Sequence, residues 1–186
     1  MKAKNLLIIS LFMIGLISLV VVEGFINPKL AADQKRYETE QKSPLTHDFT
    51  ALAKYRNAYM GNFSNLSHLN QSLPLHEQLD GYQLFPETFT AQINYSLNTD
   101  EMNSVELERI LVYNAVANFV LIDNLERIVY QFKDKQIELD RNRAQQWAGT
   151  ELGALQKPER WDADVQKKLV EPAQVQAAFS QIVDNS

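Results

Sequence analysis

Seventeen consecutive positions near the start of the chain, Leu6 to Val22, read LLIISLFMIGLISLVVV and carry no charge. Only Ser10 and Ser18 are polar, and a serine hydroxyl can bond back to a helix carbonyl. At a rise of about 1.5 Å per residue the run reaches about 26 Å, close to a hydrocarbon core of about 30 Å. Phe25 and Ile26 extend its apolar edge. The pattern predicts a membrane-spanning helix within residues 1–26. From 27 to 46 the chain turns polar and Pro-punctuated with mixed charge, which reads as a stalk, or as a stiff helical spacer if it is helical.

Periodicity then returns, and residues 47–186 read as one α+β domain. Asp48 suits the N-cap of a short helix through Leu52 and Tyr55 that ends near Gly61-Asn62, where Gly61 or Asn62 would supply a left-handed cap. Leu66, Leu69 and Leu73 lie at helical spacing before Pro74. Residues 82–85 and 88–97 alternate apolar with polar, as half-buried strands do, and Pro86-Glu87 between them predicts a hairpin turn. Asn103 and Glu106 have capping-box spacing ahead of a long helix whose apolar residues, Leu107 to Ile122, cover most of its circumference. Such a helix should pack on a sheet and be covered on its other side too. Asp123-Asn124 breaks it; residues 127–132 and 137–139 read as further strands, and Pro172 suits the start of a terminal helix with Val175, Ala178, Phe179 and Ile182 in one stripe. Helices, strands, a central helix, strands and helices in that order predict a small, mainly antiparallel sheet packed with helices behind an N-terminal transmembrane helix.

The flanks of the apolar run decide between a retained anchor and a cleaved signal. It is longer than the about 7–15 residues of a signal-peptide core, and Val22-Glu23-Gly24 matches a cleavage site weakly, so a signal anchor is expected. Lys2 and Lys4 before the segment are nearly balanced by Lys29, Lys35 and Arg36 after it. The short basic start and Glu23 at the distal edge favour a single-pass cell-membrane protein with its domain extracytoplasmic.

Composition narrows the chemistry. The chain is 45% hydrophobic and 22% charged, which is ordinary for a folded domain. Beyond Gly24 there are 16 basic and 22 acidic residues, a net −6, and no basic patch, so no nucleic-acid partner is expected. The absence of cysteine removes disulfides, thiolate zinc sites, thiol nucleophiles and a lipidated cysteine after the apolar run. Six glycines without a phosphate-loop pattern, and no G-x-S-x-G, S-x-x-K or His-Glu-x-x-His, leave no cofactor, metal or catalytic set to name.

A family resemblance is carried by residues 54–62 (KYRNAYMGN), by Leu73-Pro74, and by Tyr113-Asn114-Ala115 leading into 119–126 (FVLIDNLE). As an ordered set these resemble the bacterial domain-of-unknown-function family 4825, over about Phe49 to Phe132. The resemblance implies a membrane-tethered extracytoplasmic domain of no established activity. Related domains joined to transmembrane metallopeptidase regulators point toward sensing, although this chain has no such peptidase motif.

The individual candidates have two readings each. Tyr55, Tyr59, Gly61 and Asn62 could form an interaction surface, or the two tyrosines could pack one helical turn apart at the core edge. Asn114 and Asn118, also one turn apart on an apolar helix, read as amides that satisfy neighbouring backbone. His47, His68 and His76, with Glu77 and Asp80, match no ligand spacing and read as polar loop positions. The pairs Glu138/Asp140 and Asp123/Glu126 could serve a hydrolase only if two carboxylates stand about 5–10 Å apart in a cleft. Trp147 and Trp161 read as core plugs. The sequence thus reads as a non-enzymatic, membrane-tethered sensor or interaction module of the envelope that binds an envelope protein or small ligand; the alternative is a small carboxylate-dependent envelope hydrolase.

Overall fold

The structure, a computed structural model, describes residues 2–184; Met1, Asn185 and Ser186 lie outside the described residues, as do seven N-terminal side chains. Within the apolar run those are the side chains of Leu6, Leu7, Ile9 and Ser10. The chain divides into two compact units at Glu40/Gln41.

The first unit is helical throughout. Helix α1 (Lys2–Val21) passes through a π turn at Val22–Ile26 into α2 (Asn27–Glu40). The Asn27 N–H donates to the Val22 carbonyl, five residues back, and Pro28, lacking an N–H, cannot restore the regular ladder at the next position. From Leu11 onward every side chain in this unit is exposed up to Arg36, and one helix here is long and apolar enough to cross a membrane. The polar stretch from Asn27 to Glu40 is helical. Arg36 pairs with Asp33 and Glu40 at helical spacing, and Gln34 donates to Glu38.

In the second unit Asp48 caps as expected, its carboxylate accepting from the Thr50 N–H at 2.9 Å, but the turn it opens, Phe49–Tyr55, is a 3₁₀ helix. Helix α3 (Phe63–Gln71) comes next and buries Leu66 and Leu69. Strands β1 (Leu79–Phe85) and β2 (Thr90–Tyr95) pair antiparallel across a turn at Pro86–Thr88, closed by Phe89 in the left-handed region at φ 50°. Helix α4 (Ser104–Leu121) carries the chain back, so that β3 (Arg127–Gln131) lies parallel to β2. Strand β4 (Gln136–Asp140) closes the sheet antiparallel to β3, giving the order β1-β2-β3-β4. The fold is α+β with a four-stranded mixed sheet, mostly antiparallel. Helices α5 (Arg141–Ala148), α6 (Pro158–Trp161) and α7 (Pro172–Ile182) complete the unit.

Helix α4 is the axis of the core, buried from Ile110 through Leu121 without interruption. Its start differs from the spacing-based expectation. Asn103 accepts from the Glu106 N–H, but the Glu106 carboxylate pairs with Arg109, and the reciprocal box forms upstream between Asn98 and Glu101. At its other end the Arg141 guanidinium donates to the carbonyls of Phe119, Ile122 and Leu125 at 2.7, 3.2 and 3.1 Å. One side chain thereby serves a carbonyl of the last helical turn and two in the segment that follows, of which Ile122 also accepts from the Leu125 N–H at 3.3 Å. Trp161 is buried, stacked on Phe49 at 3.6 Å between centroids and edge-on to Tyr113 at 5.2 Å. Trp147 is only partly buried, with Lys168 Nζ 5.6 Å above its ring.

Candidate functional site

The residues singled out between 55 and 62 do not share a helix face, because the chain leaves helical geometry at Arg56 (φ −58°, ψ 129°). Residues 57–62 form a turn braced from below. The Asn57 N–H donates to the Leu121 carbonyl at 2.8 Å, and the Asn57 carbonyl accepts from the Asp123 N–H at 3.0 Å. The Asn57 side chain accepts from the Tyr59 N–H at 2.9 Å, and Asn124 Oδ1 accepts from the Met60 N–H at 2.7 Å. Met60 is buried. Tyr59, at the crest, is 71% exposed, and Phe63 just beyond is 51% exposed with its ring edge-on to Tyr82 at 5.8 Å.

Tyr55 stands apart from this crest. Its hydroxyl accepts from Ser72 Oγ at 3.2 Å, its carbonyl accepts from Asn65 Nδ2 at 2.6 Å, and Lys54 Nζ lies 4.9 Å over its ring. The Ser72 hydrogen bond leads the influences that hold its phenol below the ordinary tyrosine value. The left-handed cap expected at Gly61 or Asn62 does not form, since neither has positive φ. Asn62 instead caps α3, accepting from the Asn65 N–H at 3.2 Å, and Gly61 faces open space. Of the four candidates the structure therefore groups Tyr59, Gly61 and Asn62 on one exposed turn and ties Tyr55 into the domain edge.

A cavity of about 280 Å³ lies elsewhere, lined by Lys42, Leu75, His76, Glu77, Gln78, Met102 and Ile110. Lys42 Nζ and Glu77 Oε1 are 2.7 Å apart at its rim, and this pairing is the main influence holding the Glu77 carboxyl below the usual range. Leu75 is left-handed (φ 69°, ψ 11°), a conformation uncommon for a bulky residue. Sequence reasoning weighed His76 and Glu77 only as metal ligands and did not bring Lys42 to them, because the two charges are 35 positions apart.

Several buried polar side chains bond within the fold, although Asn114 Oδ1 and Trp161 Nε1 have no hydrogen-bond partner among the described residues. Asn70 and Asn118 exchange amide hydrogen bonds at 3.0 Å, each also donating to the carbonyl four residues back, and Asn114 donates to the Pro74 carbonyl at 2.8 Å. His47 is 3% exposed and hydrogen-bonded through both ring nitrogens, which places it in the core and not on a polar loop. Among the described residues no group of three His, Asp or Glu side chains is arranged to hold a metal ion. Glu138 pairs with Arg127 at 3.2 Å, Asp123 faces Arg56 at 3.9 Å, and Asp140 caps α5 by accepting from the Arg143 N–H. None of these three carboxylates lines the cavity at Lys42 and Glu77, the groove of about 330 Å³ beside Trp147, or the pocket of about 60 Å³ beside Glu108.

Residues 52–143, just under half of the chain, match the family described as Domain of unknown function (DUF4825). The match spans the braced turn, the whole sheet and α4, and it bears out the resemblance carried by residues 54–62, Leu73-Pro74 and 113–126. No curated protein and no solved structure matches the chain.

Proposed function

We propose that this DUF4825-containing chain is a membrane-tethered sensor or interaction module of the bacterial envelope, non-enzymatic, with residues 1–26 as signal anchor, 27–46 as stalk and 47–186 as an extracytoplasmic domain. The observation that carries the reading is the braced turn. An aromatic side chain 71% exposed on a backbone fixed by four hydrogen bonds offers contact area whose ordering has already been achieved by folding. A flexible loop would lose that entropy on binding. The apolar helix supports tethering, since it is long and apolar enough to cross a membrane. Outward orientation draws on the basic start and on Glu23 at the distal edge.

Two measurements test the proposal. A C-terminal alkaline-phosphatase fusion should be active in cells and a cytoplasmic reporter at the same position inactive; the reverse result overturns the orientation. In-cell crosslinking from a photoreactive residue at position 59 should yield a discrete protein adduct that is absent when the label sits at the exposed Gln71. Identical patterns from both positions would overturn the surface.

A further inference from the structure

The cavity at Lys42 and Glu77 has the chemistry of a small-molecule site, and it stands independently of the Tyr59 surface. Its walls are Leu75, Met102 and the buried Ile110, and its rim carries one positive and one negative group 2.7 Å apart. We propose that it binds a small zwitterion with an apolar side chain, of the chemical class of an aliphatic α-amino acid.

Three observations converge on that class. A volume of about 280 Å³ falls just below the about 300–1,000 Å³ typical of sites for drug-sized ligands, so the occupant is smaller. Lys42 and Glu77 are each about half exposed (53% and 54% of the side chain), and a pair so solvated is held weakly. A ligand with its own adjacent charges can complete a ring of four, its carboxylate accepting from Lys42 and its ammonium donating to Glu77. A simple anion or cation would satisfy one rim group and face repulsion from the other. Between the apolar walls, the thioether of Met102 adapts to side chains of different branching.

Leu75 supplies the third observation. Its left-handed backbone is held by its neighbours: His76 Nδ1 lies 3.0 Å from the Leu73 carbonyl, Asn114 donates to the Pro74 carbonyl at 2.8 Å, and the Gln78 N–H donates to the Leu75 carbonyl at 3.1 Å. Glycine would adopt this conformation without strain, whereas leucine adds an apolar wall to the cavity. Strain kept in place by surrounding hydrogen bonds is typical of functional sites.

The test uses the full chain in detergent micelles with methyl-¹³C methionine, titrated with L-leucine and L-methionine. The Met102 methyl resonance should shift saturably while that of the buried Met60, which does not line the cavity, stays in place. N-acetyl-L-leucine, lacking the ammonium, and L-leucinamide, lacking the carboxylate, should each bind about tenfold more weakly, as expected for one lost charge-assisted hydrogen bond. Lys42→Met and Glu77→Gln should weaken L-leucine about tenfold without changing the thermal unfolding midpoint. An unmoved Met102 resonance, binding of the two capped derivatives as tight as that of L-leucine, or unchanged affinity in both variants overturns the proposal. Loss of the crosslink at position 59 would leave it standing.

Discussion

His47 Nδ1 lies 2.9 Å from the Tyr113 hydroxyl, while His47 Nε2 lies 2.8 Å from the carbonyl oxygen of Ser72. A carbonyl only accepts, so Nε2 carries the proton and Nδ1 accepts from the Tyr113 O–H. The neutral imidazole thus links the start of the domain to the centre of α4, and protonation would place a second donor against the tyrosine in a nearly dry site.

Burial pushes the His47 pKa below its ordinary value, outweighing the opposing influences of the Ser72 hydrogen bond and nearby Asp48; His76 adds slightly to the lowering. The unfolded chain therefore binds this proton at a higher pH than the folded one. Stability should be flat with respect to this group above about pH 6.5 and fall as pH drops below it, by at most about 1.4 kcal/mol per pH unit, until the folded-state pKa is passed. Urea unfolding from pH 5 to 8 checks this. His47→Gln, which can donate to Ser72 and accept from Tyr113, should flatten the slope between pH 5 and 6.5; a slope equal to that of the unmodified chain would count against the assignment.

The reciprocal Asn70–Asn118 amide pair should show strong coupling. Asn118→Ala leaves both polar groups of Asn70 short of a partner in a buried site and should cost about 2–3 kcal/mol, as should Asn70→Ala. The double variant should cost clearly less than the two singles combined. A double-mutant cycle by urea denaturation measures the coupling; additive losses would mean that the pair does not act as a unit.

The fold was legible where local chemistry sets the outcome. Alternation at 82–85 and 88–97, the apolar circumference of 107–122 and Pro172 each specify an element without reference to distant residues. The parallel β2–β3 pairing is different, because alternation fixes which face is buried but not which strand lies alongside. Burial of His47 depends on Tyr113, 66 positions away, and the cavity rim depends on a lysine and a glutamate 35 positions apart. Helical spacing puts Tyr55 and Tyr59 on one face, yet the extended Arg56 rotates Tyr59 out of register with Tyr55. Their neighbours' participation in a turn braced by Asn57 and Asn124 needed α4 in place.

Arg141 should be a larger stability determinant than its partial exposure suggests. Its guanidinium serves three carbonyls at the end of α4, with Glu126 and Asp123 close enough to favour its charge, although burial is the larger influence and lowers its pKa. Arg141→Met should cost about 2–3 kcal/mol by leaving those carbonyls short of donors. All three bonds come from the one nitrogen Nη1, so Arg141→Lys should recover only part, because the shorter lysine stem stops short of the position Nη1 holds and an ammonium sheds its water less readily than a guanidinium. Chemical denaturation of the three proteins checks the order; equal stability of the arginine and lysine forms would contradict it.

Tyr55 and Tyr59 should separate stability from interaction. Tyr55 packs against the core and accepts a hydrogen bond from Ser72, so Tyr55→Ala should destabilise the domain by about 1–2 kcal/mol. Tyr59 is held by its backbone and contributes an exposed ring, so Tyr59→Ala should change stability by less than about 0.5 kcal/mol. The same substitution removes the aromatic contact area that the proposed surface offers a partner, and large aromatic anchors carry a disproportionate share of binding energy. A crosslinker placed at the neighbouring exposed Phe63 should then lose its adduct in Tyr59→Ala while the thermal midpoint stays in place. An undiminished adduct would mean that the braced turn is a structural feature of the domain surface, with recognition located elsewhere.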